Sequence, residues 1–364
     1  MRIIHCADLH LGSKIEAKLP PEKAEIRRKE VRAAFENMLK FASDNGVSAV
    51  IIAGDAFDSD RPSLHDKRTF YEAAARYPQI TFFYLRGNHD SKNRDDGENL
   101  PNLKTFGGDW TTYTLRGRGA TGAEEIATVT GAELGGENAA RLYSTLSLPE
   151  NALNIVTLHG DIRGEIDLRR LAGKNIDYLA LGHLHTYARG AIDERGVYAY
   201  SGCLEGRGFD ECGGKGFVIL ETSASAAGRR RITSEFIVSS LRRLEEYRVD
   251  VSAAKDDFDA RRIAENAISA RSCDLVRAVL TGEVSFDRLT LETTVREALE
   301  RKYFCATVKD ETRAKCDFSL IAKENSLRGE FVRQALARQD MSAEEKDAAI
   351  RLGLNALDRG AAEL

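Results

Sequence analysis

A layered α/β architecture is expected here, and three observations carry that expectation. Over the first 220 residues, short apolar runs rich in β-branched residues alternate with helical patterns. Several of the runs are continuously apolar, as in strands covered on both faces. Most of the seven histidines stand just after such a run, beside Gly, Asp or Asn.

Residues 2–7 read as the first strand. Residues 22–43 read as a helix, because Val31, Ala34, Phe35, Met38 and Ala42 fall on one face. Residues 49–53 (AVIIA), bounded by Gly54, read as a buried strand. Residues 63–77 are helical again, with Ser63 as N-cap. Further strands are expected at 80–85, 154–158, 178–181, 197–200 and 216–220, whereas the Thr- and Gly-rich stretch 111–146 reads as short strands and turns. Near Leu241 the character changes. Strands at 247–251, 274–280 and 303–309, with helices at 256–270 and 291–301, suggest a small α+β domain. From Glu324 onward the chain is helical and highly charged. There Leu327, Phe331, Ala335 and Leu336 share one helix face, suited either to a partner or to packing on the preceding domain.

A chain of 364 residues has a prior of two to three domains and can bury a sizeable core without staples. Boundaries are expected at 1–240, 241–318 and 319–364. The 53 basic and 57 acidic residues give a net charge of −4, which argues against a bulk polyanion binder but not against a nucleic-acid enzyme with a local cationic site. Six scattered cysteines without a Cys-x-x-Cys pair point to reduced thiols in a cytoplasmic protein. No apolar run approaches the roughly 18 residues of a membrane span, and the N-terminus turns polar too early for a signal peptide, so no membrane association is expected.

The chemistry gathers at strand ends. In order these are Asp8-Leu9-His10, Gly54-Asp55, Gly87-Asn88-His89-Asp90, His159-Gly160 and Gly182-His183-Leu184-His185. Open α/β sheets place ligand sites at the carboxyl ends of their strands. One strand-end His or Asp is most often a cap or turn residue; five in this order point to one crevice. Asp8, His10, Asp55, Asn88, His159, His183 and His185 make seven donors without a thiolate, which suits Mn, Fe, Zn or Co. A single ion needs four to six ligands, so seven with one shared carboxylate fit two ions. The two-residue spacing of Asp8/His10 and His183/His185 is expected to keep each pair on one side of an extended segment. His5, inside the first strand, reads as a packed histidine, and His65 as an exposed helix residue.

The ordered set D-x-H, GDxxD, GNHD, H-G and GHxH, present as ADLHLG, AGDAFDSDRP, LRGNHDSK, TLHGDI and LGHLHT, resembles the calcineurin-like metallophosphoesterases. The start IIHCADLHLGS, Phe57-Asp58-Ser59, YSGCLEGRGFDE and ENSLRGEFVRQAL are similar to the SbcD-type DNA repair nucleases, relatives of the eukaryotic "meiotic recombination eleven" nuclease. The resemblance implies a four-layer αββα metallophosphoesterase sandwich with a small C-terminal α+β cap and terminal helices. It implies that Asp8, His10 and His185 bind one metal, Asn88, His159 and His183 the other, and that Asp55 bridges them. His89 is then expected to stabilise or protonate the leaving oxygen, and Asp90 to orient His89. Two Mn(II) ions, with Fe or Zn as alternatives, would be the cofactors. The implied partners are DNA and a separate SbcC-type ABC ATPase, the chain itself having no G-x-x-x-x-G-K-[ST] motif, and a second copy of the chain.

The activity so implied is a DNA exonuclease and endonuclease acting in double-strand-break repair. The alternatives are a phosphoesterase for a small phosphodiester or phosphoprotein, and a non-catalytic scaffold. Arg207 and Phe209, in the RGFDE loop, and Arg94 after GNHD are candidate substrate contacts, the other reading of the loop being one that merely closes the sheet. Arg229–Arg231 and Arg242-Arg243 read as solvated surface charge. Arg86 and Gly206 depart from the family pattern, which often has Pro at both places, but neither is a ligand position.

Overall fold

The computed structural model describes residues 1–15, 19–92, 100–118, 124–224 and 230–359. The chain divides into two compact units: Met1–Tyr247 with Ile268–Ala278 and Arg296–Thr307, and Arg248–Ala267 with Val279–Val295 and Val308–Leu364.

The first unit opens with β1 (Arg2–Cys6), α1 (Pro21–Asp44), β2 (Val47–Ala53), α2 (Leu64–Arg76), β3 (Thr81–Leu85) and β4 (Leu103–Thr105). It continues with β5 (Thr111–Arg118), β6 (Glu124–Gly131), α3 (Ala139–Thr145), β7 (Asn154–His159), α4 (Leu168–Leu171) and β8 (Tyr178–Gly182). Then come β9 (Ala188–Ala191), β10 (Val197–Tyr200), β11 (Gly216–Ala224) and β12 (Arg230–Val238). These strands form two six-stranded sheets, of order β12-β11-β1-β2-β3-β4 and β5-β6-β7-β8-β10-β9. β1 to β4 run parallel, as do β6, β7, β8 and β10. All of their carboxyl ends within one sheet therefore point the same way.

Burial on both faces explains the apolar runs. From β2, Val50 and Ile52 face α1 and α2 in a core with Phe35, Met38, Phe70 and Phe82. Its alternate residues Ala49 and Ile51 face the other way, into a core with Ile3, Phe83, Val129, Ile155 and Tyr178, drawn from both sheets. On the far side Val156 and Leu179 pack with Tyr143 of α3 and Leu171 of α4. The layers are thus helix, sheet, sheet, helix, the expected αββα sandwich. Ser63 caps α2 as expected, its Oγ accepting from the Asp66 N–H at 3.2 Å.

Several segments differ from the sequence reading, among them residues 111–146 and β12. Residues 111–146 hold two eight-residue strands and the helix α3, not only short strands and turns. The strand β12 was hidden by its polar alternation (ITSEF), which suits an edge strand paired on one side to β11.

The remaining elements are β13 (Leu244–Asp250), α5 (Asp257–Ala267), β14 (Leu275–Thr281), β15 (Glu283–Val284), α6 (Leu291–Glu300), β16 (Cys305–Asp310) and β17 (Arg313–Ala314). They are followed by α7 (Phe318–Ile321), α8 (Leu327–Ala337) and α9 (Ala343–Arg359). β13, β14 and β16 form a three-stranded sheet. Within the second unit, Val332 of α8 is buried with Ile350 and Leu354 of α9, and Phe331 and Ala335 pack beside them. Of the expected stripe, Leu327 and Leu336 stay outside this cluster, 72% and 41% exposed. Among the described residues no helix is long and apolar enough to cross a membrane.

Candidate metal centre

The seven expected donors leave β1, β2, β3, β7 and β8 at their carboxyl ends and meet in one place. Asp8, His10 and His185 present ligand atoms within 4.8 Å of one another, and so do Asp8, Asp55 and His159. The Nε2 atoms of His10 and His185 lie 3.2 Å apart. Two nitrogens held at ~2.1 Å on a tetrahedral ion would be about 3.4 Å apart. Asn88 Oδ1 lies 2.9 Å from His159 Nε2 and 3.2 Å from His183 Nδ1. The His183 N–H donates to both oxygens of Asp8, at 3.0 and 3.1 Å.

Asp8 and His10 converge by a route different from the expected pleat. Asp8, His10, Asp55 and His183 all take positive φ, at 53°, 44°, 52° and 100°. Non-glycine residues in this region cost about 1–3 kcal/mol each and persist only where surrounding contacts hold them. Here the backbone N–H groups of Asp8 and His10 donate to the carbonyls of Gly54 and Asp55, which locks the β1 and β2 turns together. Gly54, at φ 101°, lies against His159; a Cβ there would be 2.0 Å from Nδ1 of that ring.

The hydrogen-bond pattern calls for a cation. His159 Nδ1–H donates to the Ala53 carbonyl at 2.9 Å. Its Nε2 then faces two further acceptors, Asn88 Oδ1 at 2.9 Å and Asp55 Oδ2 at 3.3 Å. A lone pair there is repelled unless a proton or a metal ion lies between. Burial disfavours the imidazolium, yet the hydrogen bond to Asp55 and the Asp8 and Asp55 charges push the His159 pKa up to about 9. Burial likewise raises the Asp55 carboxyl, but His159, His10 and the His89 N–H outweigh it and hold it at about 2. Two carboxylates 1% exposed, four imidazoles and an amide oxygen fit divalent ions such as Mn, Fe or Zn. His185 shows the arrangement usual for a ligating ring: its Nδ1–H donates to Glu211 Oε1 at 2.7 Å, leaving Nε2 for a metal.

His89 is exposed at the rim, edge-on to His10 with ring centres 4.9 Å apart, and its N–H donates to Asp55 Oδ1 at 2.9 Å. Asp90 does not orient the His89 ring as expected. Its buried carboxylate accepts instead from Tyr84 O–H at 2.7 Å, Gly87 N–H at 2.7 Å and Phe57 N–H at 3.2 Å, and so braces the Gly87–Asp90 turn from beneath. Burial raises its pKa, against these three donors.

The expected substrate contacts are also placed differently. Arg207 is 6% exposed and spends its donors inward, on Glu211, Ser13 and Asp58. Phe209 packs beside Leu244, Leu275 and Cys305, with the Arg277 guanidinium 4.1 Å over its ring. Both serve packing and positioning because the RGFDE loop folds back into the protein. Arg94 lies outside the described residues. Arg242 is likewise spent internally, on Glu30 and the Cys273 carbonyl, while its guanidinium lies 3.7 Å over Phe304.

Two residues at the site went unassigned in the sequence. Asp58 Oδ1 lies 2.9 Å from His10 Nδ1, with no aligned hydrogen bond, and shares a donor cluster with His10 and His89. Glu211 holds His185, and its carboxyl lies well below the usual range: burial is outweighed by His185 and Arg207. Their signals were present as the second Asp of GDxxD and an acid four residues after Arg207, but neither spacing announces its partner. A cavity of about 590 Å³ opens beside the centre, its lining including Asn88, His159, Arg86, Glu133, Leu134 and Glu165. Arg86 is buried there, bonded to Glu133 and to the Phe106 carbonyl.

Several known proteins resemble the chain. It is 30% identical over 221 residues to the DNA double-strand break repair protein Mre11 of Methanosarcina acetivorans, covering 56% of this chain and 34% of that one. It is 23% identical over 323 residues to the Mre11 of Thermoplasma acidophilum, covering 81% and 79%. It is 36% identical over 94 residues to a component of the nuclease SbcCD of Escherichia coli, covering 25% and 22%. The chain thus spans about a third of the length of the Methanosarcina acetivorans protein. The sequence profile described as calcineurin-like phosphoesterase matches residues 1–187, which include each of the seven donors and His89, and the chain belongs to that family.

Proposed function

We propose that the chain is a Mn-dependent DNA phosphodiesterase of the SbcD type, with exonuclease and endonuclease activity. It would act in double-strand-break repair with a separate SbcC-type ATPase, in the cytoplasm, as one chain or as a pair. The observation that carries this reading is the convergence of five strand ends on one cation-demanding centre, in a chain whose relatives are named for double-strand break repair and as a nuclease. In this reading residues 1–240 are the nuclease domain, 241–318 cap the DNA, and 319–364 dock the ATPase.

Asp8, His10 and His185 would hold one ion, Asn88, His159 and His183 the other, and Asp55 would serve both. When bound, such a pair lowers the pKa of a shared water and draws charge from the phosphoryl oxygens. The protein's part is to fix the donors and to place a proton. His89 Nδ1 faces the Asp58 carbonyl at 3.4 Å, and its other nitrogen would serve the leaving oxygen. The cavity beside Asn88 gives room for a nucleotide flanking the scissile bond. The net charge of −4 favours a second reading, a phosphoesterase for a small phosphodiester or a phosphoprotein.

The test is cleavage of end-labelled duplex and single-stranded DNA in Mn(II), in Mg(II) and in EDTA. Mn-dependent degradation absent from His89→Ala is the expected result. A small phosphodiester hydrolysed while DNA stays intact, even with an SbcC-type ATPase added, would select the second reading.

A further inference from the structure

Arg207 is a buried guanidinium whose hydrogen bonds all run inside the protein. Its backbone N–H donates to Glu211 Oε2 at 2.6 Å. Its Nε and Nη2 donate to Glu211 Oε1, at 3.2 and 2.7 Å. Its Nη1 donates to Asp58 Oδ1 at 3.0 Å and to Ser13 Oγ at 3.2 Å. Each of the two carboxylates touches one imidazole on the ring edge away from the metal side. Glu211 Oε1 accepts from His185 Nδ1 at 2.7 Å, and Asp58 Oδ1 is 2.9 Å from His10 Nδ1. His10 and His185 then present their Nε2 atoms to each other at 3.2 Å. The path His10, Asp58, Arg207, Glu211, His185 is therefore a closed ring of contacts around two ligands of the same ion. Lys215 reinforces it from behind, its Nζ donating to the His185 carbonyl at 2.8 Å.

We propose that Arg207 is a positioning residue for one ion only: a buried guanidinium tie that sets the spacing of the His10 and His185 rings. The planar fork of Arg suits two carboxylates at fixed angles, which a Lys ammonium cannot match. Without the cation, Asp58 and Glu211 are two like charges left poorly compensated in a largely buried place, and each is free to pull its ring away. Among the described residues the other ion's donors have no such tie. His159 leans on the Ala53 carbonyl, and Asn88 is exposed. The inference rests on the two-ion part of the reading above and not on DNA as substrate.

The test is equilibrium titration of the full chain with Mn(II), followed by the electron paramagnetic resonance signal of the free ion. Wild type is expected to show two binding classes. In Arg207→Met one class weakens about 10- to 100-fold, as when a partner that orients a metal ligand is lost, and the other stays within about threefold. An Asn88→Ala background, which strips the second ion, identifies the weakened class as the one that remains. Arg207→Lys falls between wild type and Arg207→Met. If Arg207→Met does not fold, Arg207→Lys alone must still weaken that one class. Wild-type affinities in both variants, or equal weakening of both classes in a folded variant, overturn the tie. A wild type that takes up no Mn(II) overturns the two-ion reading with it, whereas absent DNA cleavage leaves the tie standing.

Discussion

His5 shows how one buried side chain makes stability depend on pH without taking part in the chemistry. Its Nε2–H donates to the Leu181 carbonyl at 3.2 Å, and its Nδ1 accepts from the Tyr178 hydroxyl at 2.9 Å, which fixes a neutral tautomer. Burial, partly opposed by the Leu181 carbonyl, lowers its pKa from 6.5 to about 3. The unfolded chain therefore binds a proton below about pH 6.5 that the folded chain refuses until about pH 3. Stability from this residue is fully present above pH 6.5 and falls as the pH drops, by up to ~1.4 kcal/mol per unit. Urea unfolding at pH 4, 5, 6 and 7 should show a slope smaller by nearly one proton in His5→Gln, and parallel curves for the two proteins would refute the assignment. Asp90 offers a second check. Tyr84→Phe removes one of three donors to a buried carboxylate and should cost about 1–3 kcal/mol. Chemical denaturation reads the loss, and turnover should fall with it if the Gly87–Asp90 turn shifts His89.

Helix ends and helix contacts follow local rules that can be tested one at a time. Ser63→Ala removes the side-chain cap of α2 and should cost about 1 kcal/mol in denaturant unfolding. In α9, Gly353 meets the Phe331 ring of α8; a Cβ there would be 2.1 Å from Cζ. Gly353→Ala raises helix propensity by about 1 kcal/mol, yet it should loosen the α8–α9 pair, seen as faster amide exchange in both helices. A stabilised pair would show that the contact yields easily. Most of these elements were legible in the sequence. β1, β2, β3, β7 and β8 are short apolar runs ended by Gly or a polar residue, and α1 and α2 carry clean apolar faces. What stayed hidden depends on distant partners. β12 is polar because only one edge of it is paired, and α3 has one short apolar face that needs the second sheet to define it. The site divides in the same way. Strand-end residues with an unusual composition stood out, whereas the inward turn of Arg207, the packing of Phe209 and the link from Glu211 to His185 are properties of a folded loop that no spacing encodes.

The centre joins turns from both six-stranded sheets, so an ion there is also a stabiliser of the sandwich. Asp8 and Asp55 come from one sheet, His159 and His183 from the other, and both carboxylates are buried beside each other's ligands. A ligand that binds only the folded state adds RT ln(1 + [L]/Kd), about 2.7 kcal/mol at a hundredfold excess over Kd. Scanning calorimetry should therefore show a saturable rise in Tm with Mn(II), reversed by EDTA and absent in Asp55→Ala. A Tm indifferent to Mn(II) would mean that the donors are not a metal site. In the proposed function the seven donors hold the ions, while His89 serves the reaction. One measurement separates these roles, namely bound Mn(II) and DNA cleavage determined on the same sample of His89→Ala. Two ions per chain, as in wild type, are expected, with cleavage down by about 10²- to 10⁴-fold, the range for loss of a general acid. Wild-type cleavage from a fully loaded His89→Ala, or loss of an ion with the side chain, would contradict that division of roles.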